Sequence, residues 1–577
     1  MEPKTFFLNP STAVQKQYEA LRTFYTEKLS ACQVAEKFKF SESYFKKLRY
    51  EFNQALKREE NIFFLKIKPG PKKRFTESKV IEEIIDLRKQ NHSINDIKAI
   101  LESKDKKISL ETIDQILKSQ GFAPLPKRTH QERTAIRIPA KIKSPESVPL
   151  EVQNEEFSTE MNAAILTFLP LIEELGIVKA IEKSGFPETS TISSISSVLS
   201  FIALKIIGNE RLSHDTNWNM DRVLGFGANL NVLPKNGTLS TYSYRIQRSS
   251  NQKLLLELSK IFRNDELEEG EFNLDYKAIP HWGDASVLKK NWSGSRNKAI
   301  KSILALIVQD PSTGYLSYSD AECKNKNDAV IDFVDFWKES RGTAPKLLIF
   351  DSKFTDYKNL SKLNKSKEKI KFLTIRRRGK NIVEAAEKIA EDKWTKIRVD
   401  GKSRKVHVIK VHERFTKLRN YEGEVREVIL KDHGRQKPSF LITNDLNIEV
   451  KDIVKKYARR WLVEKEIAEQ IAFFHMNQAS SSIVVKVDFD LTISLLVHNL
   501  YRVLSNHLTG FENCTVPTIY RKFLLNGATV KIEGNDATAN LKKKTHLPIL
   551  FELPWLKKKT ELSWMGINIS FGPGTTS

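Results

Sequence analysis

The chain has 577 residues, of which 40% are hydrophobic and 9% aromatic. This composition predicts several packed domains and excludes a disordered polycation. Lys and Arg number 95 against 71 Asp and Glu, which gives a formal net charge of +24. A surplus of this size favours a polyanionic partner, of which nucleic acid is the commonest, although charge alone leaves ribosomal and membrane-surface partners open.

Several features indicate a cytoplasmic protein that does not contact membranes. The cysteines, Cys32, Cys323 and Cys514, stand far apart and form no CxxC pair, so they suggest neither a disulfide framework nor a zinc site. The first residues lack the basic and apolar regions of a signal peptide. The most apolar long stretch, 192–207, contains several serines and Lys205 and is too short for a bilayer, so it predicts a buried helix.

Residues 1–65 predict a helix-turn-helix module. Its apolar positions at helical spacing are Val34, Ala35, Phe38, Phe45 and Leu48. Ser41 can cap the second helix. The cationic residues of that helix, Lys46, Lys47 and Arg49, fall largely on its other side, as expected of a recognition helix that meets DNA. An ordinary helical hairpin with solvated lysines is the alternative.

Residues 66–76 predict a basic linker, because proline and glycine break the chain among Lys72, Lys73 and Arg74. These charges can follow a DNA backbone. A second helix-turn-helix module follows at 77–122, with candidate caps at Ser93 and Ser109 and a stop at Gly121. Two modules joined in this way can read a longer DNA site than either alone.

Residues 123–158 predict another linker, rich in proline and basic residues. Residues 159–265 have a helical pattern, and we expect a bridge, a dimer surface or a further DNA contact there.

From residue 266 the pattern changes to short strands that alternate with helices, which predicts a mixed α/β sheet over 266–390. Two of these strands end in aspartate, at Asp275 and at Asp351. Carboxylates on neighbouring strands can converge at a sheet edge and hold Mg²⁺ through hard oxygen ligands. Each aspartate taken alone is more often a cap or turn residue.

A third acid follows on a helix predicted to begin near Val450. Tyr457, Arg460 and Glu464 are spaced by three and four residues, so they share one face of that helix. A carboxylate and a guanidinium side by side can serve a metal and a phosphate together. The alternative is the solvated face of an amphipathic helix.

These residues resemble the DDE transposases of prokaryotic insertion sequences, in the cut-and-paste group with a ribonuclease-H-like catalytic domain. The group carries the signature Tyr-x2-Arg-x3-Glu, matched by Tyr457, Arg460 and Glu464, and LLIFDSKF and FNLDYKAIP match the contexts of its other two acids. The resemblance covers about residues 270–505. It implies that Asp275, Asp351 and Glu464 are catalytic and hold two Mg²⁺ ions, for which Mn²⁺ substitutes.

The sequence departs from the family in one place and is ambiguous in another. The signature usually continues with a lysine seven residues after the glutamate, where this chain has Ile471. The DNA contact of that lysine would then pass to another basic residue, and the candidates are Arg376, Arg377 and Arg378. Asp284 in HWGDAS competes with Asp275 as first acid, whereas Glu466 and Glu469 are weaker rivals of Glu464 because they leave the Tyr/Arg face.

Residues 391–443 predict a β insertion, which the resemblance associates with handling of the cleaved end. Residues 444–510 complete the catalytic core, and 511–577 form a basic C-terminal region whose last residues look frayed. The expected fold is therefore multidomain, with N-terminal all-α helix-turn-helix modules and an α/β ribonuclease-H-like domain that carries a β insertion.

The resemblance implies a transposase that binds the terminal inverted repeats of its element, cuts double-stranded DNA and joins the new end to target DNA. It further implies a homodimer in the synaptic complex and a place at the prokaryotic nucleoid. A non-catalytic DNA-binding regulator, a decayed transposase and a ribonuclease H acting on hybrid duplexes remain the alternatives.

Overall fold

The computed structural model describes residues 12–27, 29–58, 63, 78–89, 92–102, 106, 108–123, 125, 147–263, 270–281, 288–293, 297–322, 328–400, 406–434, 436–478 and 483–574. The chain divides into two compact units, Met1–Ser78 and Lys79–Ser577. Helices dominate the early part, and mixed sheets with helices follow, so the predicted multidomain α then α/β class is confirmed at that level. No helix in the described ranges is long and apolar enough to cross a bilayer.

In the described part of the first unit the chain forms α1 (Ala13–Thr26), α2 (Ala31–Lys37) and α3 (Glu42–Lys57). Ser30 and Gln33 form a capping box at the start of α2, and the Ser41 side chain accepts a hydrogen bond from the Tyr44 amide at the start of α3. The predicted cap at Ser41 is therefore confirmed. The buried core of the unit consists of Ala20, Leu21, Val34, Ala35, Phe45 and Leu48.

The second unit opens with helices. They are α4 (Ser78–Lys89), α5 (Ile94–Glu102), α6 (Leu110–Ser119), α7 (Ala164–Glu174), α8 (Ile177–Ser184), α9 (Ser194–Ile206), α10 (Arg222–Gly227), α11 (Asn236–Arg245) and α12 (Arg248–Ile261). Ser93 and Ser109 cap α5 and α6 as predicted, through the amides of Asp96 and Thr112. Helix α9 is buried along its length, which confirms the buried helix predicted from its apolar sequence.

Helices α4 to α6 pack against the body of the second unit. Their apolar side chains share a core with Ile483 and Val485. The buried Arg88 donates a hydrogen bond of 3.1 Å to the Ala123 carbonyl, and the Lys89 ammonium contacts the Arg245 carbonyl. The cationic side chains of this end of α4 are therefore used inside the protein and do not reach solvent.

A ten-stranded mixed sheet forms the centre of the second unit. Its strands are β2 (Glu271–Pro280), β3 (Lys290–Ser293), β4 (Lys298–Gln309), β5 (Leu316–Glu322), β6 (Leu347–Phe350), β7 (Lys371–Ile375), β8 (Thr395–Asp400), β9 (Val406–Thr416), β10 (Val425–Lys431) and β11 (Ser439–Thr443). The order is β3-β4-β2-β6-β7-β11-β10-β9-β8, and β5 pairs with β4. Strands β2, β6 and β7 are parallel, whereas β4 runs antiparallel to β2.

Strands β8 to β11 lie where the sequence predicts a β insertion. They extend the central sheet beyond β7 by antiparallel pairing, starting with Ile375 opposite Leu441, and do not form a sheet of their own. The backbone of this segment is therefore hydrogen-bonded to the same sheet that carries the candidate acids.

The remaining helices are α13 (Ala329–Arg341), α14 (Tyr357–Lys365), α15 (Lys380–Glu387), α16 (Val450–Arg459), α17 (Trp461–Ala472), α18 (Val484–Asn506), α19 (Val516–Ile519) and α20 (Leu547–Phe551). Helix α18 is apolar on most sides and is buried between the sheet and the helices before it, because it packs against β5, α9 and α12.

A second sheet joins distant parts of the sequence. Its strands are β1 (Glu155–Thr159), β12 (Ala528–Glu533), β13 (Asp536–Leu541), β14 (Thr560–Leu562) and β15 (Ile567–Pro573), in the order β1-β12-β13-β15-β14. The prediction that the last residues are frayed is wrong through residue 573, because β15 pairs with both β13 and β14.

Candidate active site

Asp275 occupies the point where β2 loses one of its two neighbours. The sequence predicts that this strand ends at Asp275, but β2 continues to Pro280 because β4 pairs with it over the whole length. Its parallel pairing with β6 stops one residue earlier, where Leu274 lies opposite Phe350. The prediction of a strand end is therefore wrong for β2 as a whole and holds only on its β6 side.

Asp351 follows β6 directly, so it stands beside Asp275 at the carboxyl end of two parallel strands. One of its carboxylate oxygens accepts a hydrogen bond of 2.5 Å from the Lys353 amide. Its backbone carbonyl accepts hydrogen bonds of 3.4 Å from the hydroxyls of Thr355 and Thr374. These contacts fix the turn after β6 and with it the position of the carboxylate.

Arg460 lies at a break in the helix that the sequence predicts as continuous. Helix α16 ends before it and α17 begins after it. Nη1 of Arg460 lies 3.5 Å from Oδ2 of Asp275, and Nη2 of Arg460 lies 2.8 Å from Oε1 of Glu464. Its guanidinium carbon is 5.7 Å from the centre of the Tyr457 ring. The predicted common face of Tyr457, Arg460 and Glu464 is therefore present.

The electrostatics of the site centre on Asp275. Burial raises the pKa of this carboxyl to about 6, and the nearby charges of Asp351 and Glu464 act in the same direction. The Arg460 guanidinium opposes them and lowers the pKa. Glu464 is the outermost member, with 53% of its side chain exposed against 15% for Asp275.

The donor set suits a divalent cation. The carboxylates of Asp275, Asp351 and Glu464 outnumber the single guanidinium of Arg460, so negative charge remains in excess. Carboxylate oxygens are the preferred ligands of Mg²⁺. The oxygens of these three carboxylates do not all lie within 4.8 Å of one another. Among the described residues, the group whose potential ligand atoms do is a different one, Glu466, Glu469 and His498.

No known family model matches this chain, and no curated protein matches it either. Among solved structures it is similar to the cryo-EM structure of a piggyBac transposase synaptic complex with hairpin DNA, with a TM-score of 0.34 and 13% sequence identity. The match covers 60% of this chain and 78% of that chain. A TM-score of this size does not establish a shared fold.

The three arginines after β7 differ in their surroundings. Arg376 donates a hydrogen bond of 2.8 Å to Glu427, a carboxylate that is fully buried and also accepts from Arg414 at 2.6 Å. Arg377 and Arg378 are exposed, and Nε of Arg377 lies 3.4 Å from the carbonyl of Ser352. Arg377 and Arg378 thus present free cationic surface beside Asp351, whereas the charge of Arg376 is engaged inside the sheet.

Of the three basic residues predicted to meet DNA from the recognition helix of the first unit, two are exposed to solvent. Lys46 and Lys47 are exposed, and each forms an ion pair with an exposed acid one turn away on the same helix, Glu42 and Glu51 respectively. Such surface pairs are weak and exchange readily for a phosphate. The Arg49 guanidinium instead lies 4.0 Å from the centre of the Phe24 ring, a cation–π contact within the unit. Arg49 therefore contributes to packing as well as charge.

Four predicted residues lie outside the described part of the chain. They are the alternative first acid Asp284 and the linker residues Lys72, Lys73 and Arg74. The structure places Asp275 next to Asp351 and Arg460, and it does not describe Asp284, so the choice of Asp275 over Asp284 stays a prediction.

Sequence reasoning treated Glu466 and Glu469 only as rivals of Glu464. The structure confirms that they leave the Tyr/Arg face, because both are buried on the opposite side of α17. The sequence did contain a sign of this burial, because Glu466 and Glu469 fall on the same side of the helix as the apolar Val463 and Ile467. Two carboxylates on the apolar side of a helix need a partner. That partner, His498, could not be found locally, since it lies in the next long helix.

Proposed function

We propose that this chain is a DDE-type DNA transposase, a metal-dependent endonuclease and strand transferase of a prokaryotic insertion sequence. The observation that carries the proposal is the meeting of three acids from three elements. Asp275 and Asp351 come from neighbouring parallel strands, and Arg460 connects Asp275 to Glu464 on the helix.

The sheet order supports a ribonuclease-H-like catalytic domain. Strand β2 lies in the middle, with antiparallel β4 and β5 on one side and parallel β6 and β7 on the other. This arrangement places Asp275, within β2, next to the end of β6, so two acids far apart in sequence become neighbours. The strand order is observed, and the other features of a ribonuclease-H-like domain are proposed.

Asp275, Asp351 and Glu464 are the residues that would hold two Mg²⁺ ions, or Mn²⁺ in their place. When bound there, such ions activate water and stabilise a leaving 3′-oxygen. The raised pKa of Asp275 fits this assignment, because a cation among the three carboxylates removes the repulsion that favours its protonated form.

The chain's own residues then position DNA. In the first reaction, water attacks the phosphorus at the element end, the P–O3′ bond breaks, and a 3′-hydroxyl is released. In the second, that hydroxyl attacks a target phosphodiester, so one P–O bond forms as another breaks. Arg460 and Tyr457 would hold the phosphate beside Glu464, while the exposed Arg377 and Arg378 would contact the DNA backbone.

DNA recognition is assigned to the first unit. Helix α3 presents Lys46 and Lys47 on its exposed side while Phe45 and Leu48 face the core, which is the polarity of a recognition helix. The bound DNA would be the terminal inverted repeat, and pairing of two ends implies a homodimer during the reaction.

The test is cleavage of a labelled duplex that carries the inverted repeat flanking the gene, with Mg²⁺ or Mn²⁺, by the wild type and by Asp351→Asn. We expect cuts at the repeat boundary that Asp351→Asn abolishes while DNA binding persists. Asp356→Asn is the matched control, because Asp356 caps α14 and asparagine caps equally well.

Other outcomes would point to other functions. Binding of the repeat without cutting under either metal would indicate a regulator or a decayed transposase. Preferential cutting of an RNA–DNA hybrid, measured on a matched hybrid duplex, would indicate a ribonuclease H. If Asp356→Asn lost as much cleavage as Asp351→Asn, the loss would reflect the structure of the turn after β6 and not a role of the Asp351 carboxylate.

A further inference from the structure

A second group of potential metal ligands is buried between α17 and α18. Glu466 and Glu469 lie nearly one turn apart on α17, and His498 of α18 faces them. One ligand atom from each of the three lies within 4.8 Å of the others, and Nε2 of His498 is 3.3 Å from Oε2 of Glu466. The exposed fractions are 4% for Glu466, 6% for Glu469 and 0% for His498.

The group contains polar atoms whose bonding is incomplete. Both ring nitrogens of His498 and Oε2 of Glu466 are buried without a hydrogen-bond partner. The other oxygen of Glu466 accepts a long hydrogen bond of 3.4 Å from Gln309, and Glu469 accepts one of 3.2 Å from the Val516 amide. Buried polar atoms are normally satisfied, so the two unsatisfied atoms that face each other, Nε2 of His498 and Oε2 of Glu466, indicate a missing partner between them.

The charges of the group also indicate that a cation is missing. Glu466 and Glu469 are two acidic side chains enclosed together, with 4% and 6% of their surface exposed. Among the described basic residues, Arg502 and Lys465 are near enough to act on both carboxylates, but neither forms an ion pair within 4.0 Å of them. No described positive charge is therefore in contact with these two carboxylates.

We propose that Glu466, Glu469 and His498 bind one divalent transition-metal ion of the Zn²⁺ or Mn²⁺ type. Two carboxylate oxygens and one imidazole nitrogen form a mixed donor set that suits such ions better than Mg²⁺ or Ca²⁺, which prefer oxygen alone. The site is separate from the acids around Asp275, and it does not rest on the proposed transposase function.

The ion would join α17 to α18. Glu464 lies on the same helix, two residues before Glu466, and projects to the other side. Metal at the buried group would therefore hold the helix that presents Glu464 at a fixed rotation and height relative to the sheet. Since the ligands are inaccessible to solvent, the ion must enter while the chain folds and must exchange slowly afterwards.

The test is the metal content of the purified full-length chain, unfolded, stripped with chelator, and refolded with Zn²⁺ or Mn²⁺ in a large excess of Mg²⁺. After desalting, the wild type should retain about one transition-metal ion per chain, measured by plasma mass spectrometry. His498→Gln and Glu469→Gln should lose it. Glu464→Gln and His475→Gln should retain it, since His475 is a half-buried histidine outside the group.

A second measurement uses only the wild type, so the proposal can be tested even if the variants do not fold. X-ray absorption of the Zn²⁺-loaded wild type should show one imidazole and otherwise oxygen ligands, and the metal should raise the midpoint of thermal unfolding. Absence of retained metal after refolding with either ion would overturn the proposal. So would retention in folded His498→Gln, or an absorption spectrum without imidazole.

Discussion

The two sides of α17 place the same type of side chain in opposite environments. On one side Glu464 is half exposed and bonded at 2.8 Å to Arg460. On the other, Glu466 and Glu469 are buried, and no cation of the described residues forms an ion pair with them. A single helix therefore holds one carboxylate that can meet a ligand from solvent and two whose ionisation is disfavoured by burial. Position around the helix, more than residue type, decides the chemistry.

The comparison is tested most strongly by neutralising one carboxylate on each side. If Glu464 is a metal ligand as proposed, Glu464→Gln should reduce cleavage by about 10³-fold or more, while the thermal midpoint changes little. Glu466→Gln should shift the thermal midpoint more than Glu464→Gln does. Cleavage assays and calorimetry on both variants measure this, and equal effects on both properties would remove the distinction between the two sides.

A smaller effect is expected at the residue that connects the exposed side to the sheet. Arg460→Gln should reduce the maximal cleavage rate by about 10²-fold, because a phosphate-positioning charge is lost. The same change should lower the Mg²⁺ concentration that gives half the maximal rate, since the positive charge beside Asp275 is removed. A metal titration at fixed DNA separates the two quantities. A higher Mg²⁺ requirement would contradict this role for Arg460.

The smallest expected effect is on stability and depends on pH. The pKa of Asp275 is about 6 in the folded chain against 3.8 for an ordinary aspartate. Well below pH 3.8 the carboxyl is protonated in both states. As the pH rises from 3.8 to about 6, the unfolded state gains stability, because its carboxyl ionises while that of the folded state stays protonated; above 6 the difference stays constant. Asp275→Asn should therefore stabilise the metal-free chain by about 2–3 kcal/mol above pH 6.

The measurement for Asp275→Asn is denaturant unfolding in buffer with EDTA, at pH 4 and at pH 8. The difference from the wild type should be present at pH 8 and absent at pH 4. A matched change at an exposed acid, Glu449→Gln, should show no such pH dependence. A stabilisation that is equal at both pH values would mean that the asparagine acts through packing.

Local patterns predicted much of the fold. The core of the first unit, the caps at Ser41, Ser93 and Ser109 and the strands β8 to β11 all follow from spacing, capping chemistry and alternation over a few residues. Asp351 could be placed because an apolar strand ends directly before it. The contact among Tyr457, Arg460 and Glu464 follows from helical periodicity, which persists across the break at Arg460.

The error at β2, and the contacts that the sequence did not reveal, arise where tertiary pairing decides the structure. The extension of β2 past Asp275 depends on β4, which the local sequence of β2 does not reveal. The burial of Arg88 and Lys89 depends on carbonyls at Ala123 and Arg245. The meeting of Glu466 with His498 depends on the packing of two long helices. None of these partners lies within one turn or one hairpin of the residue concerned.

The five-stranded sheet also constrains the order in which the molecule can be completed during synthesis. Strand β1 (Glu155–Thr159) emerges early, but its partner β12 begins only at Ala528. At about 5–20 residues per second, the ribosome needs on the order of tens of seconds to supply it. During that interval β1 has an unpaired edge, and a nascent chain that terminates before β12 keeps that edge open to other chains. The sheet that contains β1 can therefore be completed only after β12 has been synthesised, and we expect chains truncated before β12 to aggregate or to be proteolysed.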